Sequence, residues 1–302
     1  MNTQKGRLQL QLQKIMKQRY PMMLRGVEEA RSIDPGLVDQ HFEDCLGWIV
    51  RAYGEDALIN VVEGYASFTL EVNRAQYAYE KRGTYECSTF DEANARVYQQ
   101  AEYMQNYYWG VFAILFCWSH YVDLMDLYLN RFVSKLTSGR IIEVAPGHGV
   151  WGLLAVKKNQ NMFLEGWDIS PTSLDMAPRM AAGAGLTEHA SYNLGDATQI
   201  SHDSERYDAG ICSFMLEHLE DPGVFLKDLA MTLKSGALAY ISLALTAAQT
   251  DHIYEFKKES EGILLAEAAG FELLESRVSR PMRSLPGAKR VPRVQAMVLI
   301  KK

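Results

Sequence analysis

Cysteine is scarce in this chain of 302 residues, and Cys45, Cys87, Cys117 and Cys212 form no C-x-x-C pair. That spacing argues against a disulfide framework and against a thiolate zinc centre, and it fits a reducing compartment. A surplus of positive charge is also missing. The net charge of −6 works against non-specific binding to nucleic acid and moves small molecules up as partners. No apolar run is long enough to span a bilayer: the longest, YYWGVFAILFCW at 107–118, falls short of the ~20 residues required. The start of the chain shows neither the apolar run nor the small-residue cleavage site of a signal peptide. A soluble, cytoplasmic protein without membrane or nucleic-acid partners is the expectation. No repeat of solenoid length is visible either.

What the chain does have is enough apolar content, 48%, for one large or two medium cores, and two domains are expected. Residues 1–135 read as all-helical. Near the start, Leu8, Leu12, Ile15, Met16 and Met23 recur at helical spacing beneath a basic face formed by Lys5, Arg7, Lys14, Lys17, Arg19 and Arg25. Asp34 can cap a helix opening at Pro35, and breaks are expected near GED (54–56) and KRGTYEC (81–87). Aromatic residues crowd 76–132, many of them tyrosines that need a polar partner when buried.

The most informative stretch is IIEVAPGHGVWG at 141–152, an apolar strand running into a glycine-rich turn and then a helical pattern. Gly147, Gly149 and Gly152 satisfy G-x-G-x-x-G, and Asp168 ends the next apolar run at the distance of a ribose-binding carboxylate. By itself this also fits a nicotinamide-dependent oxidoreductase. Glu143 tips the balance, because a carboxylate two residues before the turn suits a ligand with a cationic amine.

From Glu143-x-Ala145-x-Gly147-x-Gly149 onward, residues 137–302 resemble the class I S-adenosylmethionine-dependent methyltransferases, with Ala145 standing where the family usually has its first glycine. The resemblance implies an α/β fold: a Rossmann-like seven-stranded mixed sheet whose last strand is antiparallel, in a domain of residues 136–302. It implies S-adenosylmethionine as cofactor, held by Glu143, Ala145, Gly147, His148, Gly149, Asp168, Ile169, Asp196, Ala197 and Phe214. RYDAGICSFMLEHLEDPGVFLKDLAMTLKSGALAYISLAL carries the fourth strand, a helix, a Lys-Ser-Gly turn and the fifth strand; a helix at about 258–269 and strands FELLESRVS and VQAMVLI follow.

Ligands in such a sheet sit beyond the carboxyl ends of the strands. Candidate bases there are Glu217, His218, His252 and Tyr254, while His148 is read as a donor-pocket residue. His148, His218 and His252 lack compact ligand spacing, so no metal is expected. The helical domain is expected to act as lid, acceptor-binding and dimerisation domain, placing Tyr107, Tyr108, Trp109, Trp118 and Tyr121 against the acceptor. The sixth strand should run parallel to the first, which brings the basic loop RPMRSLPGAKRVPR to the active-site side and makes Arg280 and Arg283 candidates for an acidic acceptor. The resulting expectation is methyl transfer to a small aromatic or carboxylate-bearing metabolite in natural-product biosynthesis, by a homodimer. The alternatives are a non-catalytic binding or scaffold protein of this fold and the oxidoreductase.

Overall fold

A computed structural model describes residues 5–98, 100–196, 205–284 and 287–302. The amino-terminal half is helical: α1 (Arg7–Arg19), α2 (Leu24–Ile33), α3 (Pro35–Leu37), α4 (Glu43–Tyr53), α5 (Ala57–Arg82), α6 (Phe90–Ala93), α7 (Ala101–Cys117) and α8 (Ser119–Leu127). The breaks fall where the sequence marks them. Asp34 accepts a hydrogen bond from the Leu37 amide at 2.9 Å, and Gly54 and Gly83 end α4 and α5 with φ of 87° and 84°. In α1 the side chains of Leu8, Leu12 and Met16 are buried one turn apart, so the basic residues occupy the outer face.

Helices α5 and α7 cross closely because each offers a glycine. A Cβ on Gly64 would lie 2.5 Å from that of Trp109, and one on Gly110 would lie 2.5 Å from that of Phe68. The apolar stretch at 107–118 is the heart of this layer, with Phe112, Ala113 and Phe116 fully buried. Among the described residues no single helix is long and apolar enough to cross a membrane.

The carboxy-terminal half alternates strands and helices: β1 (Gly139–Val144), α9 (Val150–Lys158), β2 (Met162–Asp168), α10 (Pro171–Ala184), β3 (Ala190–Leu194), β4 (Tyr207–Ser213), α11 (Pro222–Thr232), β5 (Leu233–Leu245), α12 (Glu259–Ala268), β6 (Phe271–Ser279) and β7 (Arg293–Lys301). They form one seven-stranded sheet in the order β3-β2-β1-β4-β5-β7-β6. Strand β7 is antiparallel to both its neighbours, which leaves β6 parallel to β1 as the sequence implied. The Lys-Ser-Gly segment differs from expectation: instead of a separate turn it lies within β5, where Gly236 takes φ 79° and the pairing to β4 shifts register.

Strand pleating divides the core. Ile141 packs with the helical layer and Ile142 with the opposite face, beneath α11 and α12. The helical layer therefore covers one face of the sheet and reaches over the carboxyl ends of β1, β2, β4 and β5.

Candidate active site

The turn between β1 and α9 is held in left-handed backbone at three positions, Ala145 (φ 55°), Gly147 (φ 55°) and Gly149 (φ 74°). Alanine there costs about 1 kcal/mol that glycine would not, so the departure at Ala145 is strain stored at the ligand site. Asp168, at the end of β2, fixes the turn. Its Oδ2 accepts from the Gly147 amide at 3.1 Å, its Oδ1 from the Ser170 amide at 2.9 Å. Burial pushes this carboxyl above its usual range even as these donors oppose the shift.

Beyond the turn lies a cavity of about 800 Å³, walled by the strand ends below and by α5, α7 and α8 above. Of the donor residues named from sequence, Ala145, Gly147, His148, Asp168, Ile169, Asp196 and Phe214 face it. Phe214 holds φ 54° at the end of β4 and stacks on Tyr121 with centroids 4.7 Å apart. Ala197 lies outside the described residues. Glu143 and Gly149 do not face the cavity. The pleat of β1 turns Glu143 beneath α9, where its Oε1 accepts from the Gly152 amide at 3.2 Å and a Cβ on Gly152 would collide with its Oε2. Burial pushes Glu143 up to about 8. Gly149 lies behind the turn, within reach of Tyr192 and Ala177.

Among the acceptor candidates, Tyr107, Tyr108, Trp118, Tyr121 and Arg283 line the cavity. Trp109, one residue further round α7, points into the helical core and meets Tyr53 edge-on at 5.2 Å. Arg280 is exposed at the end of β6, outside the cavity wall. Arg283 is ion-paired to Glu29, Arg293 pairs with Glu259 at 2.9 Å, and the amide of Arg290 donates to Glu80. The basic loop thus spends much of its bonding on acids of the neighbouring helices, a tether that sequence reasoning did not anticipate.

The candidate bases converge with one exception. Glu217, His218 and His252 each offer a ligand atom within 4.8 Å of the others, and all three line the cavity. Tyr254 is directed away and packs against Phe256 at 4.6 Å. Chain spacing hid this grouping: Glu217 and His218 lie in a short helical turn after β4, whereas His252 follows β5. His148, grouped with the histidines in the sequence, stands apart in the glycine turn, edge-on to Phe112.

Two further residues complete the cluster and were missed. Asp251 lies 3.3 Å from His218 Nδ1, and the Tyr98 hydroxyl donates to Asp251 Oδ2 at 3.1 Å. Burial alone would disfavour the His218 imidazolium, but Asp251 outweighs it and raises His218 to about 9. The buried His252 is pulled down to about 3, first by desolvation and then by the charge on His218. The signal for Asp251 was its place beside His252 in TDHIYEF; nothing in the chain marks Tyr98 among its many tyrosines.

The segment bearing Asp251 and His252 is held by the helical layer. Gln76 on α5 accepts from the Ala248 amide at 2.8 Å and donates to the Thr246 carbonyl at 3.3 Å. Tyr85 donates to the Ala247 carbonyl, Cys87 Sγ to that of Thr250, and Thr250 itself to Glu71.

Several polar atoms of the cavity wall are left over. His148 Nε2, Ser213 Oγ and Glu217 Oε2 are buried without a hydrogen-bond partner among the described residues, and all three residues line the cavity. Buried polar groups are rarely left so in a resting fold.

Comparison with known proteins agrees with this architecture. Residues 141–236 match the family model described as a methyltransferase domain. The chain is 30% identical over 96 residues to ajmaline N-methyltransferase of Rauvolfia serpentina, covering 32% of this chain and 33% of that one. It is 31% identical over 97 residues to demethylmenaquinone methyltransferase of Bacteroides fragilis, covering 32% and 40%. Among solved structures, phosphoethanolamine N-methyltransferase 2 of Haemonchus contortus with S-adenosylmethionine superposes with a TM-score of 0.54 at 14% identity, over 72% of this chain and 60% of that chain. The [4+2]-cyclase SpnF superposes with a TM-score of 0.50 at 18% identity, over 59% and 80%. Residues 141–236 therefore match a methyltransferase domain, set in a sheet ordered β3-β2-β1-β4-β5-β7-β6. The sequence match spans only about a third to two-fifths of the curated relatives' length. The helical layer lies outside the residues that the family model matches.

Proposed function

We propose that this protein transfers the methyl group of S-adenosylmethionine to a small, aromatic acceptor enclosed beneath the helical layer. The observation that carries the reading is convergence: the glycine turn with its bound Asp168 and the cluster around Glu217 face one cavity. When bound, S-adenosylmethionine supplies an electrophilic methyl on a sulfonium.

The residues fit that ligand. Asp168 is held in place by the Gly147 and Ser170 amides and lines the cavity at the end of β2, where a ribose hydroxyl would meet it. Asp196 is in the wall at the end of β3, where the resemblance puts the adenine amine. His148 Nδ1 accepts from the Val150 amide, so its proton sits on Nε2, a donor without a partner among the described residues that an anionic or carbonyl group of the ligand would satisfy. Glu143 acts through the turn from below and not by touching the donor.

The acceptor is aromatic because Tyr107, Tyr108, Trp118 and Tyr121 of the upper wall, with Phe214 at the strand ends, offer surfaces that stack on a flat ring and attract a neighbouring sulfonium through their faces. The acidic acceptor is the weaker reading, since Arg283 is paired to Glu29 and Arg280 lies outside the wall. The polar cluster at Glu217 then faces the acceptor's reacting group, and the surrounding rings exclude water. A specialised small-molecule pathway and a homodimer, with the helical domain as the subunit contact, belong to this proposal; the relative named for ajmaline supports the former.

Calorimetric titration of the full chain with S-adenosylhomocysteine and with NADH tests it, repeated for Asp168→Ala. Dissociation constants of about micromolar for the first, no heat from NADH, and loss of binding in the variant are expected. Binding of NADH alone would restore the oxidoreductase reading. Donor binding without label transfer to any of a panel of small phenols, amines and acids would favour the scaffold.

A further inference from the structure

We propose that Glu217, His218 and His252 form a binding site for a divalent first-row transition cation in the wall of the acceptor cavity. Three features carry it. The first is proximity of the three ligand atoms within 4.8 Å. Bonds of about 2.1 Å in a tetrahedral site set ligand atoms about 3.4 Å apart, so small rotations of the three side chains close the gap.

The second is which atoms are already spoken for. His252 Nδ1 is 2.8 Å from the Ala247 carbonyl, an acceptor only, so Nδ1 carries the proton and Nε2 the lone pair. His218 Nδ1 is occupied by the Tyr98 hydroxyl at 3.0 Å and by the carbonyl and Oδ2 of Asp251, each at 3.3 Å, which leaves Nε2 as the ligating nitrogen. Both imidazoles thus have the outer partners, a backbone carbonyl and a carboxylate, that orient histidines toward a metal. The two rings lie perpendicular, with centroids 4.9 Å apart.

The third is a buried acceptor without a donor. Glu217 is 1% exposed and its Oε2 has no hydrogen-bond partner among the described residues. A cation would satisfy it, whereas bare burial of a carboxylate oxygen is costly. Two imidazoles and one carboxylate suit zinc, iron(II) or cobalt(II) and not magnesium or calcium, which prefer all-oxygen shells.

Three protein ligands leave at least one position open to the cavity. The acceptor class this selects carries an ionisable oxygen, such as a phenol or an enol. Bound to the cation, that oxygen gives up its proton to solvent; its electron pair, or that of the conjugated carbon, then forms the new bond to the methyl carbon as the carbon–sulfur bond breaks and its electrons return to sulfur. This last step rests on the methyl-transfer reading; the cation site does not.

The test uses chelator-dialysed full chain titrated with Co²⁺ and followed by visible d–d absorption, with Zn²⁺ as competitor. One equivalent should bind with the bands of a low-coordinate nitrogen–oxygen site, and Zn²⁺ should bleach them. Glu217→Gln and His252→Ala should each weaken binding by about 10²-fold or more, and Asp251→Asn by about 10–100-fold as an outer partner. Titration with S-adenosylhomocysteine checks that each variant is folded and tests the donor site separately. Absence of the bands, or variants that keep wild-type Co²⁺ affinity, overturns the metal site even if the donor binds. Loss of donor binding in the wild type overturns methyl transfer even if cobalt binds.

Discussion

Glu143 is a buried acid whose effect on stability can be worked out and measured. Burial lifts it from 4.5 to about 8, the Gly152 amide only partly opposing the shift. In the unfolded chain the group ionises near its ordinary value, so between those limits the folded state retains a proton that the unfolded state releases. Stability from this residue is therefore greatest below pH ~4.5, declines as pH rises toward ~8, and is level above it. At about 1.4 kcal/mol per pH unit, three and a half units give an upper figure near 5 kcal/mol, and relaxation of the buried site makes about 2–5 kcal/mol the working range.

Glu143→Gln removes the titration. It also places an amide where Oε2 lacks a donor, so the absolute stability of the variant is shifted and only the pH dependence is diagnostic. Urea midpoints followed by tryptophan fluorescence, from pH 5 to 8.5, should fall more steeply for wild type than for the variant. Saturating S-adenosylhomocysteine should leave the wild-type slope in place, because Glu143 stands behind the turn and not in the cavity wall. Parallel curves for the two proteins would refute the burial argument. A wild-type slope flattened by ligand would return Glu143 to direct contact with the donor's amine.

Phe214 offers a test of sign: because φ is 54° there, Phe214→Gly should be more stable than Phe214→Ala by about 1 kcal/mol, the reverse of the usual order. Thermal denaturation of both variants checks it, and an alanine variant equal to or better than glycine would mean that the turn is not held left-handed. Gln76→Ala should cost about 2–3 kcal/mol, because it removes bonds to Ala248 and Thr246 and leaves buried backbone groups unpaired. Cobalt affinity in the same variant should fall while donor affinity stays, and unchanged cobalt binding would show that the helical layer does not set the position of His252.

The sheet was legible because its evidence is local. A strand, a turn of restricted backbone and a helix leave their mark within a dozen residues, as at 141–152, and the acid ending the next strand follows at a fixed interval. Side-chain direction was less legible. Trp109 and Tyr108 are adjacent in an aromatic run, and only the helix phase sends one to the core and the other to the cavity. Glu143 was rightly singled out as unusual, but strand pleating turns it under α9, and no motif reports which side of a turn a carboxylate will occupy. Two of the acids that engage the basic loop, Glu29 and Glu80, lie two hundred and more residues from it, beyond any reading of local spacing.

The same limit explains the cluster at Glu217, and it bears on how the two halves of the chain work together. Glu217 and His218 come from the sheet, so their placement follows from β4 and the turn after it. Asp251 and His252 come from a segment with little regular structure, whose carbonyls and amides are bound by Gln76, Tyr85, Cys87 and, through Thr250, Glu71. Four of its anchors therefore belong to the helical half, as does Tyr98, which bonds Asp251 directly. The polar end of the cavity is consequently assembled by both halves: the Ile253 and Tyr254 amides donate to the Glu217 carbonyl at 2.8 and 3.0 Å, while the helical anchors hold the residues just before His252. On the methyl-transfer proposal, Gln76→Ala should lower label transfer more than it lowers affinity for S-adenosylhomocysteine, and equal loss of both would refute the separation of donor site from polar cluster.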